Sequence, residues 1–321
     1  MIQSRNRRVL LVLALVAAAA LLGALLAGPS SLPPGAALRA LWDRSDPGAH
    51  DILWHLRLPR ALAAFAVGSL LALSGVLLQA LFRNPLADPF VMGVSGGAAV
   101  GALAAMALGA DLALQHGSAL AGALLVGLVV LWLGRGGGNL RLLLGGVIMA
   151  SACGAFMTLI LTLADEGQLR GMVFWLAGNL DWADQPRFNL LMAALALTGA
   201  VVFARVLNVL AAGELRSASV GLDSLRATRV VYVVAAALTA IAVLAAGTIG
   251  FVGLVAPHLA RMAFRGNNHR WVAPGAVLLG GALLCAADAA SRTLAAPRQL
   301  PVGAVMALIG APVFMVLMRR T

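Results

Sequence analysis

The chain has 321 residues, is 61% hydrophobic and carries only 11% charged side chains, giving a mean hydropathy of +0.95. Soluble domains carry roughly a quarter charged residues, so this composition excludes a water-soluble globule and requires a membrane as solvent. The net charge of +11 comes from 23 arginines and no lysine, and these are spread over short segments rather than one basic face, which favours topology signals and anionic-lipid contacts over nucleic-acid binding.

The N-terminal stretch has the basic start of a signal peptide, but its apolar run at 9–27 is longer than a signal core and is expected to be a retained first crossing helix. Further runs at 61–80, 91–109, 117–134, 142–164, 190–208, 230–248, 272–291 and 302–318 approach the ~20 residues that a helix needs to cross hydrocarbon. A tenth, at 250–264, is shorter and contains Pro257 and His258. The alternating ten-residue segments of a membrane β-barrel are absent. The expected fold is therefore an all-α integral membrane bundle of ten helices, one domain over residues 1–321. With the N-terminus inside, fifteen of the 23 arginines fall in inner segments, including Arg319 and Arg320, which places both termini in the cytoplasm.

Within "RNPLADPFVMGVSGGAAVGA" the prolines mark a tight turn at Arg83–Pro89, with Asp88 inside it. Gly93, Gly97 and Gly101 then recur every four residues. Such a small-residue face either admits a neighbouring helix closely or widens a pathway. Ser95 sits in a G-x-S-x-G match, but the strand that a nucleophile elbow requires does not precede it. The interlude "GELRSASVGLDSLRATRV", Gly213–Val230, is the longest inner loop. Its Leu215, Val220, Leu222 and Leu225 recur at near-helical spacing and are divided by Gly213 and Gly221, so two short amphipathic helices lie either on the bilayer surface or in a partner's groove.

His258, next to a helix-breaking proline, is expected to satisfy the local backbone. Asp288 and Arg292 are spaced as an interfacial i,i+4 ion pair worth a few tenths of a kcal/mol, on the order expected for such pairs. Cys153 and Cys285 lie in apolar runs and the five histidines are scattered, which suggests neither a disulfide nor a metal site. Without lysine no P-loop is possible, so any ATP-driven work needs another chain. An ion-coupled secondary transporter is the alternative from another class, with few intramembrane ionisable groups to support it.

Four blocks resemble the permease subunits of ABC importers for iron chelates, haem and cobalamin, the FecCD family: "LRLPRALAAFAVGSLLALSGVLLQALFRNPLADPFVMGVSGGAAVGA" from Leu56, the interlude from Gly213, "GTIGFVGLVAPHLARMAFRGNNHR" from Gly247 and "LPVGAVMALIGAPVFMVLMRR" from Leu300. The resemblance implies a ten-helix, type II importer permease in a bacterial inner membrane, not itself an enzyme. It implies as partners a second permease subunit in a homodimer, two cytoplasmic ATPase subunits and a periplasmic binding protein. ATP and magnesium would belong to the ATPase, with no cofactor held by this chain. The cargo it implies is a ferric siderophore, with haem or cobalamin as alternatives.

By the same resemblance, residues 209–229 form a cytoplasmic coupling loop whose Gly213, Glu214, Ala218, Gly221, Leu222 and Arg226 meet the ATPase. Arg57, Arg60 and Arg292 would dock acidic residues of the binding protein. Gly93, Ser95, Gly96, Gly97, Met172, Trp175 and Asn179 would line the translocation path. Asn179 stands where the family often has a small hydroxyl residue, and Asp181, Trp182 and Asp184 add an acidic, aromatic patch, so the cargo stays open.

Overall fold

The computed structural model describes residues 2–28, 32–135, 138–183 and 185–318. Asp184, Arg319, Arg320 and the Trp182 side chain, all used in the sequence reading, lie outside the described residues.

Helix starts follow local chemistry. Pro34, Pro47 and Pro186 open helices, at a position where a missing N–H is harmless. Asp46, Asp111 and Asp223 cap others, accepting from the N–H groups of Ala49 (3.0 Å), Leu114 (2.9 Å) and Arg226 (3.0 Å). In chain order the helices are α1 (Ile2–Leu26), α2 (Pro34–Arg39), α3 (Pro47–Asp51), a π-helical turn Ile52–Arg57, α4 (Leu58–Phe82) and a 3-10 turn Pro89–Met92. They continue with α5 (Val94–Ala107), α6 (Leu112–Leu133), α7 (Gly138–Leu163), α8 (Glu166–Leu176) and a second 3-10 turn, Leu180–Trp182. The remainder are α9 (Pro186–Val202), α10 (Ala204–Ala211), α11 (Glu214–Ser219), α12 (Ser224–Ala246), α13 (Val252–Phe264), α14 (His269–Thr293) and α15 (Val302–Met318). No strand occurs among the described residues.

Among the described residues, six helices are long and apolar enough to cross a membrane, and the α9–α10 pair, bent by 67°, is a further candidate. Three more apolar helices, α5, α13 and α15, are shorter. The run at 190–208 is bent rather than straight because its composition changes at Phe203: α10 buries Ala204, Leu207 and Leu210 while Arg205 is exposed, so it is amphipathic and suits an interface rather than hydrocarbon. The run at 250–264 is short because the chain turns through Gly247 (φ 69°) and Phe251 (φ 68°) before α13 begins, a left-handed geometry that a bulky residue rarely adopts.

Helix α4 is the spindle. Its small residues are spread all round, and a helix apolar on every side belongs in a core. Gly68 faces the Gly280 carbonyl of α14, and Gly75 faces the Gly253 carbonyl of α13. Ser69 Oγ donates to Val277 O at 3.1 Å and Ser74 Oγ to Ala235 O at 2.8 Å, so the two buried hydroxyls are satisfied across helices. Gly97 and Gly101 of α5 abut the backbone of Gly122 and Ser118 in α6, which is the close-packing use of small-xxx-small spacing.

Pro257 inside α13 removes the N–H that would bond to Gly253 O four residues earlier. The expectation that His258 satisfies the freed group is corrected here. Gln79 of α4 does so, donating Nε2 to Gly253 O at 3.1 Å, whereas His258 Nε2 is withdrawn from solvent with no partner among the described residues.

Candidate functional site

At one end of the bundle, two arginines hold one carboxylate and a third lies beside them. Asp288 of α14 is 0% exposed. Arg60, in the first turn of α4, donates Nε to Asp288 Oδ1 at 2.9 Å and holds its Nη2 2.9 Å from the same oxygen. Arg292 places Nε 3.0 Å from Asp288 Oδ2. The contact at Oδ2 is a charge contact rather than an aligned hydrogen bond. Arg60 also pairs with Asp181 of the Leu180–Trp182 turn.

The remaining guanidinium groups close off α1. Arg57 Nη1 donates to Leu25 O (3.1 Å) and Leu26 O (3.0 Å), while Arg292 donates to Ala27 O (2.9 Å) and Ala24 O (3.0 Å). A helix C-terminus leaves its last carbonyls orphaned and carries partial negative charge, so two cations are well placed there. One expectation changes. The Asp288–Arg292 pair is buried, not interfacial, so the surface-pair magnitude does not apply to it. Arg57 and Arg292 are 4% and 5% exposed and face inward to intramolecular acceptors; of the three arginines assigned to docking, Arg60 shows the most side chain, 14%.

The other end carries α10 and α11. The interlude drawn at 209–229 is helical at both margins, leaving residues 212–213 and 220–223 irregular. Gly213 (φ 111°) and Gly221 (φ 70°) supply the positive φ at its corners. Ser217 is buried and donates Oγ to Gly213 O at 3.0 Å, and Leu222 N–H donates to Ser217 O at 2.9 Å, which folds the interlude into a compact unit. Glu214, Ala218, Gly221 and Arg226 are exposed, and Gly213 and Leu222 are half-buried. Leu215 stands 91% exposed. Glu214 lies 3.6 Å from Arg83 Nη2, and Arg83, the left-handed cap of α4 (φ 52°), donates Nε to Leu210 O at 3.2 Å. The interlude is thus tied to the spindle helix.

The residues assigned to the path are distributed unevenly. Gly93 (φ 75°) abuts the α7 backbone at Gly146 and Ala150, and Gly97 abuts α6. Ser95, Met172, Trp175 and Asn179 are buried. Asn179 N–H donates to Ala246 O at 2.9 Å, and Val302 N–H donates to Gly178 O at 3.0 Å, so this segment is a seam joining α8, α12 and α15. Of the set, Gly96 borders a cavity of about 480 Å³. On its opposite wall Ser151, Gly154 and Thr158 of α7 line the cavity; the resemblance implied this fifth run, 142–164, as part of the path without naming residues in it. Both hydroxyls bond to their own helix, Ser151 to Val147 O and Thr158 to Gly154 O, each at 3.0 Å, leaving a smooth surface with few free donors. The spacing of small and hydroxyl residues in "ASACGAFMT" was the available signal. Near the start of α5, burial pushes the Asp88 carboxyl up to about 6 while the Phe90 N–H, donating to it at 2.7 Å, pulls it down.

Comparison with known proteins agrees with this architecture. The FecCD transport family matches residues 11–320. The hemin transport system permease protein HmuU of Yersinia pestis is 40% identical over 297 residues, covering 88% of this chain and 87% of that protein. The vitamin B12 import system permease protein BtuC of Escherichia coli is 37% identical over 323 residues, covering 99% and 97%. A solved metal-chelate type ABC transporter in an inward-facing conformation superposes with a TM-score of 0.87 at 31% identity, over 98% of this chain and all of that one. With six long apolar helices and permease relatives, this is a multi-pass inner-membrane protein. The chain belongs to the FecCD transport family and is a permease subunit of an ABC importer.

Proposed function

We propose that two copies of this subunit enclose a path for a bulky metal chelate, with uptake driven by ATP hydrolysis on two separate cytoplasmic subunits that grip α11 and the turn after it. The observation that carries this reading is the interlude: a compact helical unit, fastened to α4 through Arg83, that turns Leu215, Ala218, Gly221 and Arg226 outward. Exposed apolar and charged groups on a rigid knob are what a partner's groove needs. In this reading the six long helices, the bent pair and the three shorter apolar helices make ten crossings, with both termini on the side of α11. ATP and magnesium reside on the partner.

The cargo belongs to the class of ferric siderophores, haem and cobalamin. The relative named for hemin at 40% identity favours a macrocycle over the siderophore, for which no residue here speaks. The test is reconstitution in liposomes with the cognate ATPase and binding protein, identifying the chelate that the binding protein carries. In the same vesicles Glu214→Arg and Gly221→Val are expected to lower uptake by roughly tenfold or more while ATP hydrolysis continues, since a misfitted knob breaks transmission and not catalysis. Full coupled uptake in both variants would remove the interlude from that role.

We place binding-protein docking at Arg60, whose present partner Asp181 is 46% exposed. An acidic group on the binding protein would compete with Asp181 for that guanidinium. Asp181→Asn is therefore expected to strengthen docking by roughly two- to tenfold at low salt, chiefly through the association rate. Titrations of the two proteins across a salt series read this directly, and an affinity unchanged at every salt concentration sinks the assignment.

A further inference from the structure

Beside α11 a second cavity, of about 470 Å³, opens between α4, α13, α15 and the loop leading into α14. Arg83, Arg261 and Arg265 line it with His258, and among the described residues no carboxylate does. Arg261 is oriented by a hydrogen bond to the side-chain oxygen of Gln79, which is itself buried and held by Gly253 O. A neutral amide fixes that guanidinium without neutralising it. Arg265, at the left-handed end of α13 (φ 51°), has no side-chain partner among the described residues. The acidic group that approaches from outside the lining is Glu214, 3.6 Å from Arg83. His258 packs edge-on against Phe314 with centroids 6.1 Å apart, and its Nε2 is buried and unpartnered. His269, also in the wall, is already engaged, with Nδ1 2.7 Å from Asn208 Oδ1.

A concave surface lined by three guanidinium groups and an imidazole with a buried, unpartnered nitrogen, and by no carboxylate among the described residues, is electrostatically suited to a negative group. Guanidinium forks match phosphate oxygens bidentately, as they do a carboxylate, and several cations at one cavity favour the more highly charged of the two. Exposed Leu86 and Met262 stand at the same cavity, so its rim also accepts apolar chain. We propose that this cavity binds a phosphate group, contacted by Arg261, Arg265 and His258, at the end of the permease where α11 lies. The inference is independent of the cargo and of the coupling role assigned above.

The test uses the full-length protein in detergent. Native mass spectrometry after adding phosphatidylglycerol or phosphatidylcholine probes a lipid headgroup, and thermal stability in sodium phosphate against sodium chloride at equal ionic strength probes a free anion. Retention of phosphatidylglycerol over phosphatidylcholine, with no specific effect of phosphate, supports a headgroup; stabilisation by phosphate without lipid retention supports a free anion. In either case Arg265→Gln, at an exposed side chain with no bond to lose, is expected to reduce the signal by roughly fivefold or more. Arg187→Gln, an exposed arginine remote in sequence from this cavity, should leave it unchanged. Absence of both signals, or a signal equal in wild type and Arg265→Gln, overturns the proposal.

Discussion

Asp288→Ala should destabilise the protein by about 3–5 kcal/mol, the range for breaking a buried ion pair from one side. The carboxylate is fully enclosed, and both Arg60 and Arg292 place guanidinium nitrogens within 3.0 Å of it. Removing it leaves two positive charges facing each other, with Arg57 close by on the same α1 terminus. Arg292 retains its bonds to Ala24 O and Ala27 O, so it cannot swing to solvent without uncapping α1. Asp288→Asn keeps an acceptor for Arg60 Nε while losing the charge, and should fall between the wild type and alanine. Thermal unfolding in detergent, followed by the fraction of monodisperse protein after heating, orders the three. An alanine variant that melts with the wild type would mean that the cluster contributes nothing to the fold.

That cluster also marks a boundary of what sequence can reveal. The spacing of Asp288 and Arg292 is a local fact and was legible; the insertion of Arg60 from 228 residues away was not, and it converts a surface pair into a buried one. Long apolar helices were legible because a crossing segment must be apolar over its full length. Helices α2, α3 and α8 were missed, since short elements held by tertiary contacts leave no long periodic signal. The glycine repeat of α5 announced a close approach but not its partner, although Ser118 and Gly122, the groups approached, are also small residues four apart in α6. The path residues divide for the same reason. Gly93, Gly96 and Gly97 look alike in sequence, yet a Cβ would meet the α7 backbone at Gly93, the α6 backbone at Gly97 and the Cys153 side chain at Gly96, on the edge of the cavity, a difference set by the azimuth of neighbouring helices. In the interlude the glycine corners were legible because positive φ is a property of the residue itself.

The smallest possible change at the α4–α13 crossing should have one of the largest effects. A Cβ added at Gly75 would lie 1.9 Å from Gly253 O, 2.7 Å from Gly253 C and 2.8 Å from its Cα, all backbone atoms that no rotamer change can move. Helix α13 cannot simply retreat, because that same carbonyl is the one orphaned by Pro257 and rescued by Gln79. Displacing α13 therefore breaks the rescue and then frees Arg261, which Gln79 also holds. Overpacking costs about 1–3 kcal/mol and an unsatisfied buried carbonyl about 1–3 more, so Gly75→Ala is expected to lose roughly 2–6 kcal/mol. Gln79→Leu removes the rescue without the clash and should show the second part alone. Gly23→Ala, where a Cβ on α1 meets nothing within 4 Å, should instead be neutral or stabilising by up to about 1 kcal/mol from helix propensity. Measured side by side in detergent melts, a Gly75→Ala protein no less stable than Gly23→Ala would show that the two backbones do not touch where α4 crosses α13.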